Sequence, residues 1–120
     1  TRDVVVDHGQ VVQVLVILLN NALDATQDPS KVTMRVREHA NGPRGAPTRV
    51  LLEVEDLGPG IPRDRIGQIF NAFYTTKDAG TGLGLSIALK LVRENRGRLV
   101  VRSEPGEGTV FTVDLEGVSA

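Results

Sequence analysis

Apolar residues change their spacing along the chain, and each spacing predicts a different element. Over residues 10–26 they recur at intervals of three and four, which predicts an amphipathic helix. Alternation of apolar and polar residues over 31–37 and 49–56 predicts two strands. The loop between them, residues 40–48, holds two glycines and two prolines. The first half of the chain therefore predicts a helix followed by a β-hairpin.

The other elements are predicted from the same signals. They are a short strand, a short helix with a proline near its start, a long helix stopped by Gly97, and a terminal hairpin. In chain order they cover residues 4–6, 61–69, 83–96, 98–103 and 109–115. Because hairpins outnumber βαβ units, the order predicts a mixed, mostly antiparallel sheet with helices on one face.

The same spacing predicts which side chains form the core. Aromatic residues make up only 3% of the chain, so the core must be aliphatic. The first helix is expected to bury one stripe, with an adjoining stripe beside it that ends in polar residues. The predicted core residues are Val11, Leu15, Leu18, Ala22, Ala25, Val32, Met34, Val36, Val50, Leu52, Val54, Ile87, Leu91 and Val92.

Length, charge and composition narrow the class of protein. A chain of 120 residues suits one domain with one core. The net charge is −1 and no basic run stands out, so we expect no nucleic-acid partner. The chain has no cysteine, which excludes disulfides and thiolate chemistry.

Asp56 draws attention because it ends a strand on the side that carries the apolar residues. Burying an unpaired carboxylate is costly, so this position needs a reason. One interpretation is local, because an Asp before Gly often accepts the N–H groups of its own turn. The other is functional: a buried carboxylate accepts the exocyclic amine of adenine, while Gly58 and Gly60 let the backbone pass close to the base.

Asn21 and Asp24 lie one turn apart at the edge of the apolar face of the first helix. Asn21 is either a polar residue at the rim of that face or a ligand of Mg²⁺, which takes few protein ligands when phosphates and waters supply the rest. Asp24 is either a solvated acid near a helix end or a group that orients a metal-bound water or bonds a nucleotide.

Residues 80–87 place a glycine-dense loop directly before a helix. Such a junction offers backbone N–H groups and the positive end of the helix dipole to phosphate. Gly80, Gly82 and Gly84 suit a loop wrapped against a triphosphate, with Thr81 and Ser86 as candidate hydroxyl donors. The alternative is a flexible linker, which fits the apolar residues at helical spacing less well.

Residues around this loop complete the candidate site. Lys77 either places a point charge beside a γ-phosphate or is a solvated loop lysine. Phe70 and Phe73 are expected to anchor the loop over 71–82 to the core, as the hinge of a lid requires. Thr109 follows the glycines of the terminal hairpin and is expected to reach the base through Asp56.

Taken in order, these motifs resemble those of the catalytic, ATP-binding domain of two-component sensor histidine kinases. That domain belongs to the Bergerat-fold superfamily, which includes gyrase, heat-shock protein 90 and MutL. The resemblance covers nearly the whole chain. Its motifs are the N box, the G1 box, the F box, the G2 box and a final glycine-rich turn, at residues 13–25, 56–60, 69–77, 80–85 and 106–111.

The resemblance implies a two-layer α/β sandwich, an α+β fold with a five-stranded sheet and three helices on one face. It implies that residues 1–120 form one domain, a fragment of a longer protein. It implies ATP and Mg²⁺ as cofactors, with Asn21 as the metal ligand and Asn21 and Lys77 as catalytic residues. The nucleotide-binding residues it implies are Asn21, Asp24, Asp56, Gly58, Gly60, Ile61, Phe73, Thr76, Lys77, Gly80, Thr81, Gly82, Leu83, Gly84, Leu85 and Thr109.

The implied reaction is transfer of the γ-phosphoryl group of Mg-ATP to a histidine. That histidine lies on a dimerisation domain of the same or a partner chain, outside these 120 residues. A response regulator is the expected partner downstream. The domain is expected to be cytoplasmic and monomeric in isolation, whether or not its parent protein is anchored in a membrane.

Ile17 departs from the family pattern. Kinases of this type usually carry another Asn at that position, one turn before Asn21, and gyrase-like relatives carry a Glu that activates water. Isoleucine neither binds a metal nor takes a proton, so we expect poor ATP hydrolysis and transfer to a partner histidine instead. Two alternatives are a nucleotide-binding sensor without catalysis and a serine kinase of the anti-sigma type, which shares the fold.

Overall fold

The computed structural model describes residues 3–4, 7–40, 48–71 and 84–118. Strands and helices follow one another in nearly the predicted order. They are β1 (Asp3–Val4), α1 (His8–Thr26), β2 (Val32–Ala40), β3 (Thr48–Asp56), α2 (Gly84–Glu94), β4 (Arg98–Glu104) and β5 (Gly108–Val118). Single 3₁₀ turns cover Pro29–Lys31 and Ile66–Gln68.

The strands form one five-stranded sheet in the described part of the chain. β5 pairs with β3 along one edge, and with β4 and then β1 along the other. β2 pairs with the outer edge of β3. All of these pairings are antiparallel, so the described sheet contains no parallel pair of the kind that a mixed sheet has.

α1 begins and ends with identifiable caps. The Asp7 side chain accepts a hydrogen bond from the backbone N–H of Gln10 at 3.0 Å, so Asp7 is the N-terminal cap. At the other end Gln27 adopts a φ of 56°, and its N–H donates to the carbonyl of Leu23 at 2.7 Å. This single left-handed residue closes the helix. Neither described α-helix is both long and apolar enough to cross a membrane.

The core lies between the helices and one face of the sheet. α1 buries Val14, Leu18 and Ala22, so its buried stripe is displaced from the predicted one, and Ala25 is exposed. From the sheet and α2 the buried apolar residues are Val54, Phe111, Val113, Leu115, Ala88 and Val92. The ring of Phe70 meets that of Phe111 edge to face, with centroids 6.3 Å apart, which confirms Phe70 as a core anchor.

Two groups of predicted core residues are not buried. Met34 and Val36 are 50% and 68% exposed, because β2 is an edge strand that extends beyond the cover of the helices. On α2, Ile87 is 38% exposed and the buried positions are Ala88 and Val92. Alternation identified the inward face of β2, but it does not tell how far the second layer reaches.

The short helix predicted over residues 61–69 is wrong apart from the 3₁₀ turn at Ile66–Gln68. The backbone N–H of Ile61 donates to the Ser103 hydroxyl at 2.8 Å, which ties the start of this segment to β4. Arg65 and Ile66 both donate to the carbonyl of Pro62, and Gln68 and Asn71 then donate to the carbonyls of Arg65 and Gln68, so the segment forms successive tight turns and no α-helix. The described chain therefore has two α-helices where three helices were expected.

Candidate functional site

One end of the sheet carries a polar row on the face that the helices cover. Asp56 of β3 pairs with Thr109 of β5, and Thr109 pairs with Ser103 of β4. Asp56 and Thr109 are only 2% and 5% exposed, and Ser103 is half-buried. The two neighbouring rows on this face are apolar. Polar groups at such a place must find partners within the protein or in a ligand.

The Asp56 carboxylate is almost completely buried and accepts a hydrogen bond from its own turn. Its Oδ1 accepts a hydrogen bond from the N–H of Gly58 at 2.9 Å. Burial nevertheless raises the pKa of Asp56, and the neighbouring charge of Glu55 raises it further, against the lowering effect of the N–H groups of Gly58 and Thr109. Asp56 therefore does accept an N–H group of its own turn, as one of the two interpretations predicted. A donor from a ligand would stabilise the charged carboxylate further.

Ser103 joins three parts of the site through one hydroxyl. Its oxygen lies 2.8 Å from the N–H nitrogen of Ile61, 3.0 Å from the carbonyl oxygen of Gly108 and 2.9 Å from the hydroxyl of Thr109. These contacts connect the turn after β3 to the hairpin of β4 and β5. The position of Thr109 beside Asp56 is thus fixed by a residue on a third strand.

The glycine turn after β3 packs directly on that hairpin. The N–H of Gly106 donates to the carbonyl of Pro59 at 2.7 Å. Gly60 has a φ of +76°, and a side chain there would run into the backbone carbonyl of Glu104. The turn therefore requires glycine at this position. An exposed ion pair between Arg63 and Glu104, at 3.2 Å, bridges the same two segments.

The C-terminal end of α1 lies beside this turn. A Cβ atom on Gly58 would come within 3.3 Å of the Ala25 carbonyl oxygen, and the N–H of Leu57 donates to the carbonyl of Lys31 at 3.1 Å. Asn21 is half-buried and Asp24 is exposed, both within the last two turns of that helix. The predicted metal ligand is thus on the element that borders the Asp56 turn.

Ile17 brings the start of α2 against α1. Its Cγ2 lies 3.4 Å from the position that a Cβ on Gly84 would occupy. Ile17 and Leu85 are half-buried and pack on the core, so the first turn of α2 rests on apolar groups. Ile61 also packs on the core, next to the polar row. These contacts set the position from which α2 starts.

The structure brings most of the described candidates to one end of the molecule. Around the polar row it gathers Asp56, Gly58, Gly60, Ile61 and Thr109. Asn21 and Asp24 lie on the adjoining helix end, and Gly84 and Leu85 begin α2. Outside the described residues lie Phe73, Thr76, Lys77, Gly80, Thr81, Gly82 and Leu83, whose roles stay predictions.

Sequence reasoning missed Ser103. The signal was present, because Leu99, Val101 and Ser103 alternate along β4 and so share the face that the helices cover. A hydroxyl residue at the end of a strand, on the same side as two core residues, is the same kind of signal that identified Asp56.

Comparisons with known proteins agree with this geometry. Residues 6–118 match the model of the family described as histidine kinase-, DNA gyrase B-, and HSP90-like ATPase. Sensor histidine kinase TmoS of Ectopseudomonas mendocina is 37% identical over 89% of this chain, which spans only 11% of the length of TmoS. The catalytic domain of the histidine kinase ThkA superposes with a TM-score of 0.73 at 31% identity, over 94% of this chain and 70% of that one.

A second solved structure is full-length ShkA in complex with AMPPNP. It has a TM-score of 0.74 and 31% identity, and the match covers all of this chain but 24% of ShkA. The chain belongs to the histidine kinase-, DNA gyrase B- and HSP90-like ATPase family. Within that family its likeness is to sensor histidine kinases and their catalytic domains, and their α/β class is the one predicted from sequence.

Proposed function

We propose that this chain binds Mg-ATP and donates its γ-phosphoryl group to a histidine on a separate dimerisation domain. The observation that carries the proposal is the buried Asp56 carboxylate, which ends a polar row beneath a glycine turn. Membership of an ATPase family, and the likeness to a structure of ShkA with the nucleotide AMPPNP, support the choice of ligand.

The adenine base is proposed to lie against the polar row. Asp56 accepts a hydrogen bond from the exocyclic amine, and a hydrogen bond to a charged group contributes on the order of 1.5–3 kcal/mol. Guanine has a carbonyl at that position, which a carboxylate cannot satisfy. Gly58, Gly60 and Ile61 border the base, with Thr109 beside Asp56.

The phosphates and the metal are proposed to lie between α1 and the start of α2. An amide oxygen such as that of Asn21 is a hard ligand that suits Mg²⁺, and Asn21 lies on the helix end bordering the Asp56 turn, so the donor fits. Bound Mg²⁺ supplies charge neutralisation at the phosphates. Asp24 and Gly84 border this region. We assign the remaining contacts with the phosphates to residues 73, 76–77 and 80–83.

Ile17 favours phosphoryl transfer over hydrolysis. Its side chain packs toward Gly84 and has no atom that could take a proton from water. The nucleophile and its base are therefore proposed to come from a histidine-bearing domain, and this chain contributes positioning. Residues 1–120 are proposed to be one domain of a longer cytoplasmic or membrane-anchored kinase that serves a response regulator.

The test is phosphoryl transfer between separate domains. We expect the 120-residue chain, mixed with a cognate histidine-bearing domain and γ-labelled ATP, to place acid-labile phosphate on that domain's histidine. Asn21→Ala is expected to lower the transfer rate at least tenfold and to remove its dependence on Mg²⁺, while some nucleotide binding remains. Equal Mg²⁺ dependence in both proteins would contradict the metal assignment.

The second candidate is a nucleotide sensor without catalysis, which Ile17 motivates. Binding of ATP without any transfer of label would favour it over the kinase. Acid-stable label on a serine of a protein substrate would instead identify a serine kinase of the anti-sigma type. A chain that binds no nucleotide would contradict all three candidate functions.

A further inference from the structure

The single hydrogen of the Ser103 hydroxyl determines the direction of every bond in its cluster. The N–H of Ile61 can only donate, so the Ser103 oxygen accepts from it. The carbonyl of Gly108 can only accept, so the Ser103 hydrogen points there. The remaining contact, 2.9 Å between the Ser103 and Thr109 hydroxyl oxygens, must then have Thr109 as the donor.

This direction leaves Thr109 with lone pairs only. Its hydrogen is committed to Ser103, so any further hydrogen bond that it makes is one that it accepts. Thr109 lies opposite Asp56 in the strand register, on the same face of the sheet, where paired side chains are neighbours. An ionised Asp56 also only accepts. The Asp56 and Thr109 side chains therefore present two acceptors side by side and no hydroxyl donor.

We propose that Ser103 is a positioning residue that sets base selectivity by holding the Thr109 hydroxyl as an acceptor. The inference rests on the proposed nucleotide function and deepens it. An adenine amine has two hydrogens, one for Asp56 and one for Thr109, directly or through a water. A base with a carbonyl at that position supplies none and meets two sets of lone pairs.

Ser103→Ala releases the Thr109 hydrogen. It can then turn to the Asp56 carboxylate, where it competes with the amine, or to a base carbonyl, which it satisfies. The measurement is the ratio of the Kd values of IDP and ADP, by calorimetry, because IDP replaces the amine with a carbonyl. We expect the wild-type chain to prefer ADP at least tenfold and Ser103→Ala to reduce that preference about fivefold, the equivalent of one neutral hydrogen bond.

Three further variants separate this role from simple support of the fold. Ser103→Thr keeps the hydroxyl and is expected to restore the wild-type ratio. Arg63→Gln removes another link between the glycine turn and β4 without touching Thr109, and its ratio is expected to stay at the wild-type value. In a Thr109→Val background, Ser103→Ala is expected to change the ratio no further.

The outcomes distinguish the inference from the function beneath it. If wild type prefers ADP and Ser103→Ala keeps the same ratio, the positioning role is wrong and the nucleotide site stands. The same holds if Ser103→Ala reduces the ratio equally in the presence and absence of the Thr109 hydroxyl. If wild type binds neither nucleotide, the proposed function itself is wrong.

Discussion

At the scale of single residues, the burial of Asp56 acts on stability as well as on binding. Because burial raises the pKa of Asp56, the folded chain keeps its proton at pH values where the unfolded chain has lost it. The contribution of Asp56 to the free energy of unfolding is therefore greatest below the ordinary value of 3.8 and declines as pH rises through the raised pKa. The site keeps a stability cost at neutral pH that a ligand donor would offset.

Asp56→Asn tests both consequences. We expect ADP affinity to fall by about ten- to a hundredfold, because the amide turns N–H groups toward an amine that needs an acceptor. We expect the free energy of unfolding of the variant, relative to wild type, to increase as pH rises from 3.8 through the raised pKa, because no charge is buried. Urea denaturation over a pH series and ADP titration by calorimetry measure the two effects.

The matched control is Asp64→Asn, which removes an exposed carboxylate after the glycine turn. Its ADP affinity is expected to match wild type. An unchanged ADP titration in Asp56→Asn would remove the adenine assignment.

The residues of the site were predicted unequally well, for a physical reason. Asp56 was found because strand parity and the cost of burying a charge are both local properties of the sequence. Ser103 acts through contacts with Ile61, Gly108 and Thr109, which come together only when three segments fold. Parity could mark Ser103 as inward-facing, but its partners depend on the register between β4 and β5.

At the scale of elements, both long helices end in a left-handed residue that is not glycine. After α2, the N–H of Gly97 donates to the carbonyl of Val92 and that of Arg96 to Arg93, and Arg96 has a φ of 60°. This is a Schellman motif in which glycine is the usual residue at the Arg96 position. The sequence predicted Gly97 as the stop, one residue beyond the left-handed position.

Arg96→Gly is expected to stabilise the fold. The left-handed conformation destabilises a residue with a Cβ by roughly 1–2 kcal/mol, which glycine avoids. Glycine in turn loses about 0.5–1 kcal/mol more conformational entropy on folding, which offsets part of this gain. We therefore expect the free energy of unfolding to rise by about 0.5–1 kcal/mol in urea denaturation, with ADP affinity unchanged.

Gly97→Ala, at the next residue, is expected to have the opposite effect on the free energy of unfolding. A Cβ there would lie 2.7 Å from Leu115 Cδ2 and 2.8 Å from the carbonyl oxygen of Asp114, so we expect a clear loss of stability. An unchanged or lowered urea midpoint in Arg96→Gly would show that the left-handed conformation of Arg96 carries no net cost in this fold.

At the scale of the whole molecule, the layer architecture followed from the sequence and the extent of its layers did not. Alternation, helical spacing and turn residues are each local, and together they gave a sheet covered by helices on one face. Val36 was placed on the correct face of β2, yet it is 68% exposed because the helices do not extend over that edge. How far the helices cover the sheet depends on how they pack, and the spacing of residues in β2 does not determine this.

The two long helices are joined at the ends remote from the polar row by one side chain. Asn95, just after α2, accepts from the N–H of Asp7 at 2.7 Å and donates to the side chain of Gln10 at 2.9 Å and to the carbonyl of Leu91 at 2.7 Å. The start of α2 meets Ile17 further along α1. Asn95 therefore fixes the pairing of the two helices without taking part in the site.

We expect Asn95→Ala to lower the free energy of unfolding by about 1–2 kcal/mol, because Gln10 and Asp7 lose their partner, while ADP affinity changes less than twofold. Asn95→Asp keeps the acceptor for the Asp7 N–H, loses the donor to Gln10 and adds a negative charge at a helix C-terminus, so it should also destabilise. A double-mutant cycle with Gln10→Ala, measured in urea, should give a coupling of about 0.5–1.5 kcal/mol. Additive effects would show that the Asn95–Gln10 contact does not join the helices, and a large loss of ADP affinity would show that helix pairing and the site are not separable.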